Sequence, residues 1–413
     1  MKSYVLVVFA TVYAGMILGG LPRLALDRTG VALLGAIALL AGGAMTLSQA
    51  GAAVDVPTLA LLFGLMVVSA QLRLGGFYAR VAAALATADV APAALLALLV
   101  AVTGALSAIF TNDVVCLAMA PVWIDACARR RLDPVPFLLG LACAANVGSA
   151  ATLIGNPQNM LIGQTLALPF NAYLAYAALP TVLGLVVVWG VIAWQQRGDW
   201  RAPAGAADVA SRARDDVAPF DAWQTAKGLA VAAALLLVFV ATSWPREVAA
   251  LAGAGALLLS RRLHSRDKLG LVDWPLLVLF LGLFVVNGAF AETGIAAEAV
   301  AALRDRGVDL AQPRSLILAT VALSNLVSNV PAVMLLLEAA KHPLGGPVLA
   351  LASTLAGNLL LVGSIANLIV VDQAGRLGIR IGWAEHARVG IPVTLATLVI
   401  AGGWLWIHAA FGA

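Results

Sequence analysis

Uncharged apolar runs recur from one end of the chain to the other, and no other property so narrows what it can fold into. Tyr4–Gly20, Val31–Leu47, Leu59–Ala70 and Val389–Ala410 are nearly free of charge. Several reach the ~20 residues with which a helix crosses a ~30 Å hydrocarbon layer. Only 11% of residues are charged, where a soluble domain carries about a quarter. The expectation is an all-α polytopic membrane protein, one membrane domain with no soluble module. Lys2 gives a token basic start and no small-residue cleavage site follows, so the first run is expected to stay as a crossing.

The chain also repeats itself. Gly64-Leu65-Met66-Val67-Val68 returns as Gly282-Leu283-Phe284-Val285-Val286, 218 residues on. Ala105-Leu106-Ser107, ending in Thr111-Asn112, returns 217 residues on as Ala322-Leu323-Ser324, ending in Ser328-Asn329. Ile154-Gly155-Asn156 with Asn159 returns 208 residues on as Val362-Gly363-Ser364 with Asn367. Three blocks in the same order indicate a duplication. Residues 1–195 read as a first transmembrane repeat, 196–226 as a polar cytoplasmic linker and 227–413 as a second repeat. Each half offers three crossings (4–20, 29–48 and 57–72; 227–244, 246–260 and 274–291). A segment with a polar tip follows (92–128; 313–340), then an interrupted helix (135–166; 347–372) and a last crossing (178–195; 389–411).

Reading both polar-tip segments as re-entrant hairpins leaves five crossings per half. Lysine and arginine then divide 19 to 6, with Lys2, Arg246, Arg304, Arg306, Arg314 and Lys341 on the poorer side. The richer side is cytoplasmic, so both termini are expected to be periplasmic in the inner membrane. Five is odd, so the halves insert in opposite orientation as two inverted repeats, a plan shared by many secondary transporters.

Four polar clusters interrupt the apolar background. The first is Thr111-Asn112-Asp113. The second runs Asn146, Gly148, Ser149, Thr152, Gly155, Asn156 and Asn159. The third holds Ser324, Ser328 and Asn329, and the fourth Asn358, Gly363, Ser364 and Asn367. Breaks in helices leave backbone groups that lipid cannot satisfy, so such segments survive only when buried in protein or lining a wet cavity. Half-helix N-termini favour anions and C-terminal carbonyls favour sodium. Symmetric placement in two repeats makes these clusters the candidate solute and ion site rather than mere helix–helix glue. Asp113, whose counterpart is Val330, is a candidate proton carrier or cation ligand; the competing role is a helix cap. Asn287 reads as a packing contact, Glu338 as interfacial, and Cys116 and Cys143 as apolar filler.

At these residues the chain resembles the ion-transporter superfamily of ArsB-type arsenite permeases, NhaD-type sodium/proton antiporters, and citrate and dicarboxylate carriers. The carrying phrases are TNDVV, NVGSAATLIGNPQN, LVSNVP and AGNLLLVGSIANLIV. The resemblance implies a secondary carrier that moves a hairpin-bearing unit against a scaffold. In the dicarboxylate carriers a Ser-Asn-Thr motif at each tip helps bind sodium and carboxylate. Thr111-Asn112-Asp113 and Ser328-Asn329-Val330 match only its Asn and the hydroxyl before it, and the Asn-Asp pair is closer to the arsenite permeases. The antiporters' GDxxT pattern is replaced by Gly155-Asn156-Pro157.

The expected function is ion-coupled secondary transport of a small inorganic or organic anion, or a neutral oxyacid. Arsenite or antimonite efflux and sodium/proton antiport are the alternatives within transport. The lipid bilayer and a second copy of the chain, as a homodimer, are the expected partners. No cofactor is expected beyond a coupling H+ or Na+. The net charge of +4 reflects cytoplasmic loops rather than a nucleic-acid partner. Three cysteines without CxxC spacing give neither a disulfide framework nor a zinc site, and no phosphate-cradling GxxxxGK[ST] loop is present. A membrane enzyme lacks a nucleophile–base set, since the four histidines fall in loops or near crossing ends. Two symmetric broken helices favour alternating access over a channel.

Overall fold

Aspartates set where the central crossings begin. The side chains of Asp27, Asp55, Asp221 and Asp273 each accept from backbone N–H groups of the turn that follows. This satisfies amides that a first helical turn leaves unpaired. The helices so opened are α2 (Arg28–Ala41), α4 (Val56–Leu74), α11 (Ala222–Ala241) and α14 (Trp274–Glu292). The computed structural model describes residues 1–21, 23–197, 199–201 and 219–411. Most of the expected linker lies outside the described residues.

The first half also holds α1 (Lys2–Leu18), a short α3 (Leu47–Ala53) and α5 (Phe77–Ala86). A helix pair follows, α6 (Pro92–Ile109) and α7 (Asn112–Arg130), then α8 (Pro134–Ser149) and α9 (Pro157–Thr165), and α10 (Phe170–Gln196). The second half repeats this order with α11, α12 (Arg246–Leu258), a short α13 (Ser265–Leu269), α14 and α15 (Ile295–Asp305). Its helix pair is α16 (Pro313–Val327) and α17 (Asn329–Leu336), followed by α18 (Gly345–Ala356), α19 (Ile365–Arg376) and α20 (Trp383–Phe411). Among the described residues there is no sheet, only two isolated bridges. Within the described residues, six helices (α4, α6, α10, α11, α14 and α20) are long and apolar enough to cross a membrane.

Packing partners exchange between the halves. α4 packs on α12 as α14 packs on α2; α6 on α8 as α16 on α18; α9 on α18 as α19 on α8. Glycine permits the first pair of contacts. A Cβ on Gly64 would fall 2.7 Å from the Ala250 carbonyl carbon, and one on Gly282, its counterpart, 2.7 Å from that of Ala32. The equivalent helices α4 and α14 run in opposite directions. Gly288, late in α14, abuts Ala53 just before α4, while Trp274, which opens α14, lies 5.9 Å from the Phe63 ring within α4.

Several expected boundaries move. The crossing expected from 227 begins at Ala222, because Asp221 caps it and Gln71 Nε2 donates to Gln224 Oε1 at 2.9 Å. The last crossings begin at Phe170 and Trp383, ahead of the expected 178 and 389, with Pro180 and Pro392 carried inside the helices. α2 and α12 stop at Ala41 and Leu258, short of the expected 48 and 260. α5 and α15 have no counterpart among the expected segments, since neither contains an apolar run long enough to read as a crossing.

Candidate functional site

The two helix pairs with polar tips and the two interrupted helices meet at their breaks. Asn112 opens α7; its backbone N–H donates to Gly155 O at 3.1 Å and its Nδ2 to Asn146 Oδ1 at 3.1 Å. Asn329 opens α17. With its amide oriented to match its neighbours, Nδ2 donates to Ser353 O at 3.1 Å and Gly363 O at 3.3 Å. Each tip is therefore pinned by its asparagine to the interrupted helix of its own half. Asn156 caps α9 by accepting from Asn159 N at 2.9 Å, and Ser364 caps α19 by accepting from Ala366 N at 3.2 Å.

Asn146 is the hub. Its Nδ2 donates to Asn358 Oδ1 at 2.8 Å and Asn367 Oδ1 at 3.0 Å, and its Oδ1 accepts from Ser364 Oγ at 2.8 Å as well as from Asn112. Thr354, 208 residues on, does the same work for the other half. Its hydroxyl donates to Asn159 Oδ1 at 3.2 Å and accepts from Asn156 Nδ2 at 3.2 Å and Gln158 Nε2 at 3.3 Å. Each interrupted helix is thus held open by a side chain from the opposite half. The breaks are satisfied alike: Asn159 Nδ2 donates to Ser149 O and Thr152 O, as Asn367 Nδ2 donates to Gly357 O and Leu360 O. Buried backbone carbonyls that the helices leave unpaired find partners this way, as a buried break requires.

The other expected residues divide. Ser149 Oγ donates to Asn146 O at 2.8 Å, and Thr152 Oγ1 to Ala108 O at 2.5 Å, tying the break to the end of α6. Gly148 and Gly155 act through their lack of a side chain. A Cβ on Gly148 would lie 2.4 Å from Gly104 Cα, and one on Gly155 2.3 Å from Ser149 O. Gly363 is similarly tight, with Asn325 Oδ1 at 2.9 Å from a would-be Cβ. Ser328, the single residue between α16 and α17, takes φ 76° and ψ 162°, a backbone region used almost only by glycine. Thr111 precedes α7 with its hydroxyl outside any cap. Asp113 is half-buried. Among the described residues its carboxylate has neither a hydrogen-bond nor an ion-pair partner, so it stands beside the amide cluster without joining it. The hydroxyls of Ser107 and Ser324, equivalent positions one turn before the tips, are buried without a partner among the described residues, as is Asn112 Oδ1.

Three contributors escape the sequence motifs: Thr354, Tyr173 and His386. Tyr173 OH donates to Ala150 O at 2.7 Å, and His386 Nε2 sits 3.0 Å from Asn358 O, a carbonyl 208 residues on from Ala150. Each occupies the fourth position of its helix, α10 or α20. His386 lies near a crossing end as expected, yet it is buried against the network. Asn287 accepts from Tyr13 OH at 2.8 Å and packs on Met334, while all three cysteines are buried.

A vestibule of about 560 Å³ opens between α5, α7 and α19, lined among others by Arg73, Tyr78, Leu117, Pro121, Asp372 and Arg376. Asp113 stands one turn from Leu117 on the same face of α7. A second pocket of about 560 Å³ lies between α15 and α17, with Arg304, Asp309, Glu338 and Lys341 on its wall. Among the described residues no group of three His, Cys, Asp or Glu side chains is placed to hold a metal ion.

Spanning helices around a buried polar centre, itself built from paired helix breaks, make this a polytopic membrane protein of the transporter class. The chain belongs to the citrate transporter family, whose model matches residues 4–355. An uncharacterised transporter of Mycobacterium tuberculosis (strain CDC 1551 / Oshkosh) is 31% identical over 379 residues, covering 86% of this chain and 87% of the relative. A silicon efflux transporter of Oryza sativa subsp. japonica is 30% identical, covering 95% of each chain. A putative arsB transporter of Dictyostelium discoideum is 21% identical, over 92% of this chain and 87% of the relative. The fold is also that of the YdaH transporter of Alcanivorax borkumensis, whose structure is described as having an unusual topology. The TM-score is 0.56 at 14% identity, and the match covers 99% of this chain and 97% of the other. Family and relatives alike are transporters by description.

Proposed function

We propose that the chain is a secondary active transporter that carries a small anion or oxyacid across the inner membrane, coupled to H+ or Na+, with two inverted repeats around one central site. The observation that carries this reading is the amide network, in which Asn146 and Thr354 each hold open the interrupted helix of the opposite half. The antiparallel course of α4 and α14 supports inversion, and the 19-to-6 lysine and arginine split supports both termini outside. By that split the α5–α7–α19 vestibule faces the cytoplasm.

The chemistry of the network favours a neutral oxyacid over a polyanion. Its members are amides, hydroxyls, backbone carbonyls and the His386 imidazole, and none of the described ones is Lys or Arg. Asp113 beside it repels a dianion, whereas an undissociated polyhydroxy acid both donates and accepts. The unpartnered Ser107 and Ser324 hydroxyls and Asn112 Oδ1 supply free capacity where a solute or a coupling ion would sit. Silicic acid, arsenous acid and citrate are therefore the solutes to compare. Purified protein in proteoliposomes, given each under an imposed pH or sodium gradient, is expected to accumulate silicic or arsenous acid saturably. Citrate uptake alone would overturn the neutral-solute reading, and non-saturable flux would point to a channel.

A further inference from the structure

Three hydrogen bonds tie the end of α9 to the starts of α4 and α12. Arg246 Nη2 donates to Gly163 O at 2.7 Å, Gln164 Nε2 to Glu247 Oε2 at 3.1 Å, and Thr165 Oγ1 to Asp55 Oδ2 at 3.1 Å. α9 also packs directly against α4.

The duplication supplies a counterpart for all six residues. Arg28, Thr29 and Asp273 correspond to Arg246, Glu247 and Asp55 by the offset of 218; Val371, Asp372 and Gln373 correspond to Gly163, Gln164 and Thr165 by the offset of 208. Donor still faces acceptor in each pair. Arg28 matches a main-chain carbonyl, that of Val371. Thr29 matches the Asp372 carboxylate, with donor and acceptor exchanged between the helices. Gln373 matches the free oxygen of Asp273, which like Asp55 spends its other oxygen on a helix cap. Complementarity in all three pairs is hard to ascribe to the apolar similarity of membrane helices.

None of these three bonds is made. Arg28 Nε donates instead to Met16 O at 3.1 Å, Thr29 Oγ1 to Pro275 O at 3.2 Å, and Asp372 accepts from Arg376 Nε at 2.8 Å. α19 has no packing on α14 comparable to that of α9 on α4. Asp372 and Gln373 line the vestibule. One end of the molecule is latched, and the other, built from matching parts, is open.

We propose that these residues form two alternating latches: Arg246–Gly163, Gln164–Glu247 and Thr165–Asp55 close the α9 end, and Arg28–Val371, Thr29–Asp372 and Gln373–Asp273 close the α19 end in the opposite state. In this arrangement the two sets compete, one end opening as the other closes. Their role in transport rests on the carrier reading above; the latches themselves are testable without any solute.

The test is disulfide trapping of the full chain in proteoliposomes, with Cys116, Cys127 and Cys143 replaced by alanine and copper phenanthroline as oxidant. One variant carries Asp55→Cys with Thr165→Cys, the other Asp273→Cys with Gln373→Cys. The first pair is expected to cross-link quickly and the second slowly, as a minor state. Adding Arg246→Ala removes a charge-assisted bond of the first latch and is expected to raise the rate of the second pair about tenfold while slowing the first. Arg28→Ala is expected to act in the opposite sense. Arg246→Gln, which keeps a shorter donor, gives a smaller shift of the same sign and serves where the alanine variant is not recovered. Failure of the second pair to cross-link in every background, while the first does so, overturns the proposal. So does a shift of the same sign from Arg246→Ala and Arg28→Ala. Exchange of the cross-links without any gradient-driven uptake would leave the latches standing and remove the carrier reading.

Discussion

The two polar tips share an anchor and differ in nearly everything else. In the first, Phe110 and Thr111 make the turn and Thr111 keeps an ordinary extended backbone, φ −62° and ψ 129°. In the second, Ser328 turns the chain alone at φ 76°, a conformation that costs about 1–3 kcal/mol for a residue with a side chain. The first tip carries the unpartnered carboxylate of Asp113, while at the same place the second buries Val330. Both nevertheless begin their second helix with an asparagine bonded into the adjacent break. The anchoring is common to both and the flanking positions differ, so that one tip carries charge and the other stores backbone strain.

That comparison is most exposed at the anchors. Asn112→Ala and Asn329→Ala are each expected to cut transport at least 100-fold, measured as proteoliposome uptake, with detergent-solubilised protein still eluting as a single species. Loss at only one tip would mean that the halves no longer share the work. Asp113→Asn tests the charge alone, since the carboxylate caps no helix in the structure. It is expected to abolish accumulation under a pH gradient while leaving counterflow measurable, because Asn keeps the size and hydrogen bonding of Asp and loses its charge. Accumulation at the parental level would remove Asp113 from the coupling.

Stability gives smaller contrasts. Asn146→Ala removes four side-chain bonds and is expected to cost about 2–4 kcal/mol, against roughly 1–2 for Thr354→Ala, followed by thermal unfolding in detergent. Equal losses would deny Asn146 its place as hub. Smallest of all, Ser328→Gly should gain about 1 kcal/mol by relieving the backbone. Thr111→Gly, where no strain exists to relieve, should lose a few tenths. A loss at both positions would show that the Ser328 hydroxyl contributes more than its backbone costs.

Much of this architecture is legible in the sequence because the bilayer enforces it. Apolar length announces α4, α14 and α20, and asparagine or serine amid apolar residues announces the tips and breaks. Helix ends are less legible, since Asp221 opens α11 within a stretch that composition alone assigns to the linker. α5 and α15 are short and lack the apolar run that marks a crossing. Thr354 is hidden for a different reason. A threonine in an apolar helix commonly bonds its own backbone, and only carrying the offset of 208 on to Asn146 singles it out. Tyr173 and His386 are equally silent, each contributing one polar atom to a carbonyl that no local pattern marks as orphaned.

The crossed bonds of Asn146 and Thr354 bear on how the protein is made. Synthesis completes the first half before residues 354, 364 and 367 exist. At that stage Asn146 lacks Asn358, Ser364 and Asn367, and Asn156 and Asn159 lack Thr354, while their bonds within the first half remain. Asn146 Nδ2 and Asn159 Oδ1 are then without a partner, each at a cost of about 1–3 kcal/mol in an apolar interior. The newborn first half is thus a molecule with its centre unsealed, and the arrival of α18 and α19 seals it. A chain that stops before that point keeps those two groups open, a chemical difference between finished and unfinished copies.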